Sequence, residues 1–114
     1  MTDFQRDMEV MINEGIFNAK NGKVRFVYRF PEKMYGTLDL LELSERAYNC
    51  CRRSHISTIE EVGQRWNELG KMRGSGVKTV KEIKNSYINY YYSQLDDEER
   101  KDFWRDAVEA TANM

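Results

Sequence analysis

Hydrophobic residues follow a helical spacing over most of this chain. Across residues 3–14, apolar side chains recur every three or four positions, which predicts a helix that ends at Gly15. From Leu38 onward the same spacing returns in short stretches separated by tight turns. The pattern therefore predicts a mainly α-helical protein, built as a compact bundle of short helices.

One segment near the N-terminus departs from the helical spacing. Between residues 24 and 30, large hydrophobic side chains occupy every second position, as they do in a strand. The preceding Asn21-Gly22 pair favours a hairpin turn, and residues 16–18 supply a short partner strand. We therefore expect a small N-terminal β-hairpin, which ends at Pro31.

Short polar side chains mark the starts of the first two helices in the middle of the sequence. Ser44 is placed to cap a helix over residues 45–53. Thr58 and Glu61 have the spacing of a capping box, which opens a second helix. We expect this helix to direct its apolar side chains inward, namely Ile59, Val62 and Trp66.

A second group of helices completes the sequence. A further helical turn over residues 68–72 leads to a glycine-rich turn at 74–76. A long helix is predicted from residue 77 to about residue 91, with apolar side chains on one face. Asp96 or Asp97 then caps a last helix with an acidic first turn.

The charge distribution along the sequence changes the interpretation of its total charge. The 114 residues, enough for one domain, carry a formal net charge of −1. Residues 44–85 hold nine basic and five acidic residues, whereas residues 86–114 hold three basic and seven acidic ones. Such an asymmetry is found both in nucleic-acid-binding faces and in ordinary solvated surfaces.

The lack of a transmembrane run or signal peptide and the adjacent cysteines favour a cytoplasmic protein. No apolar run reaches the length of a transmembrane helix, and the N-terminus lacks the apolar stretch of a signal peptide. Cys50 and Cys51 are adjacent, and neighbouring cysteines rarely bridge each other. We expect no disulfide, no membrane association and a reducing cytoplasmic environment.

Residues suited to catalysis or metal binding are few. His55 is the one histidine of the sequence, it falls in a predicted turn, and no nucleophile stands at a recognisable spacing from it. The cysteine pair lacks the two-residue spacer of zinc ligands, and the acidic run at 96–99 suits the first turn of a helix. We predict that the protein is not an enzyme and holds no metal or cofactor.

The segment 69–83 has the form of a helix-hairpin-helix element. Gly74 and Gly76 permit a sharp turn and a close approach of the backbone. The first N–H groups of the following helix can hold a phosphate, and Arg73, Lys78 and Lys81 add positive charge. Taken alone, this segment is equally well explained as a structural turn between two helices.

Three motifs together resemble a known family. Residues 41–50 read Leu-x-Leu-Ser-x-Arg-x-x-Asn-Cys, residues 56–62 read Ile-x-Thr-Ile-x-x-Val, and residues 76–84 read Gly-x-Lys-Thr-Val-x-Glu-Ile-Lys. They resemble the C-terminal domain of the bacterial RNA polymerase alpha subunit, a compact helical domain of the helix-hairpin-helix type. The resemblance extends over about residues 38–90.

The resemblance implies binding to the minor groove of A·T-rich double-stranded DNA. Arg46 matches the arginine that enters the groove, where a narrow A·T tract concentrates negative potential. Asn49 matches a residue that hydrogen-bonds in or near the groove, and Cys50 one whose backbone lies near a phosphate.

A second phosphate contact is implied at the start of the long helix. Gly76, Lys78 and Thr79 match its family positions, and the glycine-rich turn adds Gly74. Glu82 matches an acidic position that faces protein partners in the family. RNA polymerase or a transcription factor is the partner that the resemblance implies.

Two departures from the family pattern bear on this interpretation. Val77 stands where the family usually has Lys or Arg, and the segment between Val62 and Gly76 is one residue shorter. The large N-terminal assembly domain of the alpha subunit has no counterpart in this sequence. We therefore expect a stand-alone relative, or a piece of something longer, with extra segments at both ends.

These observations lead to one division of the sequence and one main function. Residues 1–37 form an N-terminal extension, 38–91 the helical domain, and 92–114 an acidic helix packed on that domain. We expect a non-enzymatic, transcription-related DNA-binding protein. A protein-interaction module that has lost DNA binding is the alternative, and an accessory module of a repair or recombination enzyme is a third interpretation.

Overall fold

The computed structural model of the protein is helical over most of the residues it describes, which are 2–17, 19–20, 23–24 and 34–112. The α-helices are α1 (Asp3–Asn13), α2 (Glu45–Arg53), α3 (Ile59–Gln64), α4 (Val77–Ser93) and α5 (Asp97–Ala112). Two 3-10 helices cover Leu38–Leu41 and Trp66–Lys71. The predicted mainly helical fold is confirmed, and the helix-hairpin-helix arrangement stays a prediction.

Contacts divide the protein into two compact units. The terminal unit comprises Met1–Glu32 and Tyr92–Met114, and the middle unit comprises Lys33–Tyr91. Helix α4 begins in the middle unit, and its last two residues belong to the terminal unit. The acidic helix α5 is thus grouped with the N-terminal segment.

A short antiparallel pairing follows helix α1. Strand β1 (Ala19–Lys20) pairs with strand β2 (Lys23–Val24), in a register that leaves two residues between them. The predicted partner strand at 16–18 is misplaced, because Ile16 and Phe17 form a bend. Phe17 is buried against Trp104 instead, with the ring centroids 6.0 Å apart. Residues 18, 21–22 and 25–30, on which the rest of the hairpin prediction falls, lie outside the described residues.

The predicted capping residues of the middle unit stand where the sequence places them. The Ser44 hydroxyl oxygen accepts a hydrogen bond from the Ala47 N–H at 3.2 Å and begins α2. The Thr58 hydroxyl oxygen accepts from the Glu61 N–H at 3.3 Å and begins α3. The Glu61 carboxylate in turn accepts from the hydroxyls of Thr58 and Ser57, and these bonds lower the pKa of Glu61.

Helix α5 resolves the choice between two aspartates. The Asp96 carboxylate accepts from the Glu99 N–H at 2.8 Å, and the Glu99 carboxylate accepts from the Asp96 N–H at 3.1 Å. This reciprocal pair is a capping box, so Asp96 precedes the helix and Asp97 is its first residue.

The expectation that α3 carries Trp66 inward is wrong. Helix α3 ends at Gln64, and Trp66 begins the second 3-10 helix, where its half-buried ring lies 5.2 Å from that of Tyr87. Gly63 explains the early end, because glycine is unfavourable inside helices. It also leaves room for Tyr87, whose hydroxyl lies 2.6 Å from where a Cβ of residue 63 would stand.

The core of the middle unit is formed by every one of its helices. An isolated bridge joins the backbone before the first 3-10 helix to the start of α3, through the Leu38 N–H to Ser57 carbonyl bond and the Ile59 N–H to Gly36 carbonyl bond. The buried hydrophobic side chains are Leu38, Leu41, Ala47, Cys50, Cys51, Ile56, Ile59, Val62, Leu69, Met72, Ile83, Tyr87, Ile88 and Tyr91.

Tyr92 is the centre of the terminal unit. Its fully buried ring makes edge contacts with Phe4, Phe103 and Trp104, at centroid distances of 5.5 to 5.9 Å. The Tyr92 hydroxyl donates to the Asp7 carboxylate and accepts from the Trp104 indole N–H at 2.8 Å. One tyrosine thus connects α1, the end of α4 and α5.

An arginine of α5 also contacts this aromatic cluster. The Arg100 guanidinium lies 4.5 Å from the centre of the Tyr92 ring. It also donates to the Asp3 carboxylate at 3.1 Å and to the Tyr92 carbonyl at 3.3 Å. These contacts join α5 to the first turn of α1.

We predict that Tyr92 makes the fold sensitive to alkaline pH. Burial, together with its bond to Asp7, raises the pKa of Tyr92 to about 12, against about 10 in an unfolded polypeptide. The folded state therefore favours the neutral phenol, and this contribution is complete below about pH 10 and lost as the pH rises through 12. The free energy of unfolding, measured by urea denaturation, should fall over that interval.

Two tyrosine variants isolate this effect. Tyr92→Phe should show a shallower decline of the unfolding free energy from pH 10 to 12 than the parent. Tyr35→Phe, at a residue that is 64% exposed, should decline like the parent. An equal slope for Tyr92→Phe and the parent would contradict the assignment.

Candidate nucleic-acid interface

Helix α2 presents a polar stripe next to its buried face. Ala47, Cys50 and Cys51 are buried, whereas the side chains of Arg46, Asn49 and Arg53 are exposed. The spacing of Arg46, Asn49 and Arg53, three and then four residues, places them on one side of the helix. We refer to these three residues as the α2 stripe.

Both cysteines are structural. The Cys50 thiol donates to the Arg73 carbonyl at 3.7 Å, which joins α2 to the segment before the glycine-rich turn. Burial, and then the neighbouring Cys50, raise the pKa of the Cys51 thiol to about 11. A raised pKa keeps the Cys51 thiol neutral at physiological pH and makes it a poor nucleophile.

The turn over residues 72–76 has a conformation that requires glycine. The Met72 carbonyl accepts from the Ser75 N–H at 3.1 Å and from the Ser75 hydroxyl at 2.7 Å. Gly74 has a φ of +82°, in the left-handed region where side chains are disfavoured. The Arg53 guanidinium occupies the space beside it, with Nη2 3.2 Å from where a Cβ of residue 74 would stand.

Helix α4 begins directly after this turn. The Gly76 carbonyl accepts the helical bond from the Val80 N–H at 3.1 Å, so Val77, Lys78 and Thr79 form the first turn. The N–H groups of a first turn have no carbonyl one turn earlier to bond, and the helix dipole makes this end attractive to anions. Val77 is 76% exposed and Lys78 is exposed, whereas Thr79 is only 6% exposed.

Glu82 ties the start of α4 to the start of α2. One carboxylate oxygen accepts from the Ser44 N–H at 2.6 Å, and the other accepts from the Ser44 hydroxyl at 2.8 Å. The same Ser44 hydroxyl accepts from the Ala47 N–H, so one serine both caps α2 and holds α4. Charge-assisted bonds of this length are among the stronger hydrogen bonds in proteins.

These contacts bring the two predicted halves of the site into one region of the middle unit. The bond from Cys50 to Arg73, the approach of Arg53 to Gly74 and the bonds from Ser44 to Glu82 all join α2 to the segment 73–82. The predicted residues lie on these two segments, namely Arg46, Asn49, Cys50, Gly74, Gly76, Lys78, Thr79 and Glu82.

The side chains of the predicted site residues differ in their exposure to solvent. Arg46, Asn49 and Lys78 are exposed, and Arg46 and Lys78 form no ion pair with any residue that the structure describes. Cys50 is 0% exposed and Thr79 is 6% exposed, so neither side chain extends into solvent to meet a ligand. Their contributions to binding stay predictions.

Two features of the site were not predicted from the sequence. Arg53 was not singled out, although its spacing from Arg46 and Asn49 was a signal that it shares their side of α2. The attachment of Glu82 to Ser44 joins residues 38 positions apart, and no local pattern reports it.

His55 and the clusters of acidic residues are the other candidates for chemistry. His55 lies in the turn after α2 with a φ of +63° and is exposed. No group of three or more His, Cys, Asp or Glu side chains within residues 2–17 and 34–112 is arranged to hold a metal ion. None of the helices within those same residues has the length and the apolar character that a membrane crossing needs.

Comparisons with known proteins agree on one family. The family model described as the C-terminal domain of the alpha chain of bacterial RNA polymerase matches residues 29–86. This range includes all of α2 and α3 and the first part of α4. No solved structure gives a significant match.

Curated relatives give the same result. Proteins named DNA-directed RNA polymerase subunit alpha are 32% identical to this protein over 84 residues in Clostridium botulinum strain Hall, Alkaliphilus oremlandii and Clostridium acetobutylicum. The matched segment covers 73% of the present sequence and 23% of each relative. The match thus spans less than a quarter of the length of these relatives.

We predict that the bonds between Ser44 and Glu82 stabilise the middle unit. Glu82→Gln replaces one accepting oxygen by an amide that donates, so it should lower the free energy of unfolding by about 1–2 kcal/mol. Ser44→Ala should also be destabilising, because it removes both the cap and the hydroxyl donor. Urea denaturation of the single and double variants measures the coupling.

The double variant provides the decisive comparison. If the two residues act through one contact, Ser44→Ala with Glu82→Gln should cost less than the sum of the single changes. Strictly additive losses would show that the bond from the Ser44 hydroxyl to Glu82 contributes nothing to stability, since Ser44→Ala keeps the backbone N–H bond.

Proposed function

The protein belongs to the family of the C-terminal domain of the bacterial RNA polymerase alpha subunit, and from this membership we propose that it is a non-catalytic DNA-binding protein of transcription. Residues 38–91 would be the binding domain, flanked by the segments 1–37 and 92–114. It would work in the cytoplasm and bind A·T-rich double-stranded DNA by contacts to the minor groove and to phosphates.

The α2 stripe supports the groove contact. Arg46 is exposed, has no acidic partner among the described residues, and shares one side of α2 with Asn49. A guanidinium of this kind is attracted to the narrow minor groove of A·T tracts, because the negative potential there is enhanced. This exposed, unpaired arginine, on the helix that packs beside the Gly74 turn, is the observation that carries the proposal.

The start of α4 supports the phosphate contact. Lys78 brings an exposed positive charge, and Gly74 and Gly76 allow the backbone to come close to a ligand. The backbone N–H of Thr79 belongs to the first turn, where helices bind anions. The backbone of Cys50, joined to the same turn through Arg73, would lie near a second phosphate.

The names of the relatives suggest a partner. The similar proteins from Clostridium and Alkaliphilus are alpha subunits of DNA-directed RNA polymerase. We extend this to the present protein as a proposal, with RNA polymerase or a transcription factor as its protein partner. Glu82 would contribute to that surface with the part of its carboxylate that Ser44 leaves exposed.

A protein-interaction module without DNA binding is the second candidate function. Val77 favours it, because this apolar side chain is 76% exposed at the head of α4. The resemblance to the family places a basic residue at that position. The net charge of −1 for the whole protein also weakens the general attraction to DNA.

Two substitutions should separate groove binding from phosphate binding. Arg46→Ala should reduce affinity for an A·T-rich duplex about 10- to 100-fold and weaken the preference over a G·C-rich duplex. Lys78→Ala should weaken binding to both duplexes alike and reduce the slope of log K against log salt by about one unit. Fluorescence anisotropy titrations at two salt concentrations measure both effects.

Arg105→Ala is the matched control for charge. It removes one positive charge from α5, where Arg105 is exposed and pairs with Asp102, and it should leave affinity nearly unchanged. The proposed function fails if the parent does not bind DNA at low salt, or if Arg46→Ala and Lys78→Ala both bind like the parent. Absence of binding at low salt would instead favour the interaction module.

A further inference from the structure

Arg53 is an exposed arginine that the family motif does not include. It is the last residue of α2 and lies seven positions after Arg46 and four after Asn49, so it extends the stripe on that side of the helix. It forms no ion pair with the acidic residues that the structure describes. Its positive charge is therefore available to a ligand.

The Arg53 guanidinium lies beside a glycine. Nη2 lies 3.2 Å, and Cζ 3.9 Å, from where a Cβ of residue 74 would stand. Gly74 already needs to be glycine because of its φ of +82°. The missing side chain therefore serves a second purpose, since it leaves the space that the arginine fills.

The glycine beside the guanidinium leads directly into the first turn of α4. Gly74 precedes Val77 by three residues, which a fully extended polypeptide spans in about 11 Å. Val77 offers an exposed apolar surface, and Lys78 beside it offers an exposed positive charge. A strand of DNA that contacts Lys78 is thus within reach of Arg53.

We propose that Arg53, held in the space beside Gly74, is an additional DNA phosphate contact that replaces the positive charge absent at Val77. This inference rests on the proposed DNA-binding function and deepens it. Arginine suits the role because its planar guanidinium can bind a phosphate through two parallel hydrogen bonds. Gly74 then acts on DNA binding in two ways, through the close backbone approach that it allows and through the space that it leaves for Arg53.

The primary test compares Arg53→Ala with Arg52→Ala in DNA titrations of the full-length protein. Arg52 is the neighbouring exposed arginine of the same helical turn, so its removal changes the net charge equally. Arg53→Ala should reduce affinity about 5- to 10-fold and the slope of log K against log salt by about one unit. Losses should be equal on A·T-rich and G·C-rich duplexes, because a phosphate contact reads no sequence.

Two further variants serve as controls. Arg52→Ala should change affinity by less than about 2-fold, because a charge that touches no phosphate releases no counterion. Arg53→Lys should recover part of the affinity that Arg53→Ala loses.

A glycine variant tests how the arginine is positioned. Gly74→Ala should weaken binding in the parent, and it should weaken binding less in the Arg53→Ala background, because part of its effect passes through Arg53. Circular dichroism melting checks that each variant folds. Additive losses in the double variant would contradict the positioning of Arg53 by Gly74.

The outcomes distinguish this inference from the function on which it rests. Normal binding by Arg53→Ala, or an equal loss in Arg52→Ala, overturns the role of Arg53, while a large loss in Arg46→Ala would leave the DNA-binding function in place. If the parent does not bind DNA at low salt, both proposals are wrong.

Discussion

The contact between helix α2 and the start of helix α4 determines the arrangement of the middle unit. The Glu82 carboxylate accepts two hydrogen bonds from Ser44, and the Cys50 thiol bonds the Arg73 carbonyl. These bonds join segments that lie 23 and 38 residues apart in the sequence. They help to fix the exposed arginines of α2 relative to the glycine-rich turn. Each polar bond is backed by burial of the cysteines and of Ile83 in one core.

Such a site is suited to binding. Its cysteines are buried, and the raised pKa of Cys51 keeps that thiol neutral at physiological pH. Its exposed side chains include cations and an amide, which match the phosphates and groove edges of a nucleic acid. The terminal unit has a different basis, since it is organised around the buried phenol of Tyr92 and the guanidinium of Arg100. Each unit thus has polar contacts of its own in addition to an apolar core.

The sequence predicted those features that depend on neighbouring residues. Ser44, Thr58 and Asp96 cap helices because their side chains reach N–H groups three residues later. Prediction from the sequence was less successful where contacts between distant residues determine the structure. Trp66 lies beyond the end of α3 and packs on Tyr87, and Phe17 packs on Trp104 instead of forming a strand. The site followed from the family resemblance, but the attachment of Glu82 and the position of Arg53 depend on tertiary packing that no local pattern encodes.

Amide chemical shifts provide the most direct test of the central claim, that α2 and the start of α4 form one DNA-binding surface. The ¹⁵N-labelled protein would be titrated with a short A·T-rich duplex at low salt. The account predicts that the largest shift changes fall on residues 46–53 and 74–79. Changes centred instead on α3 and the second 3-10 helix, or no changes at all, would contradict it.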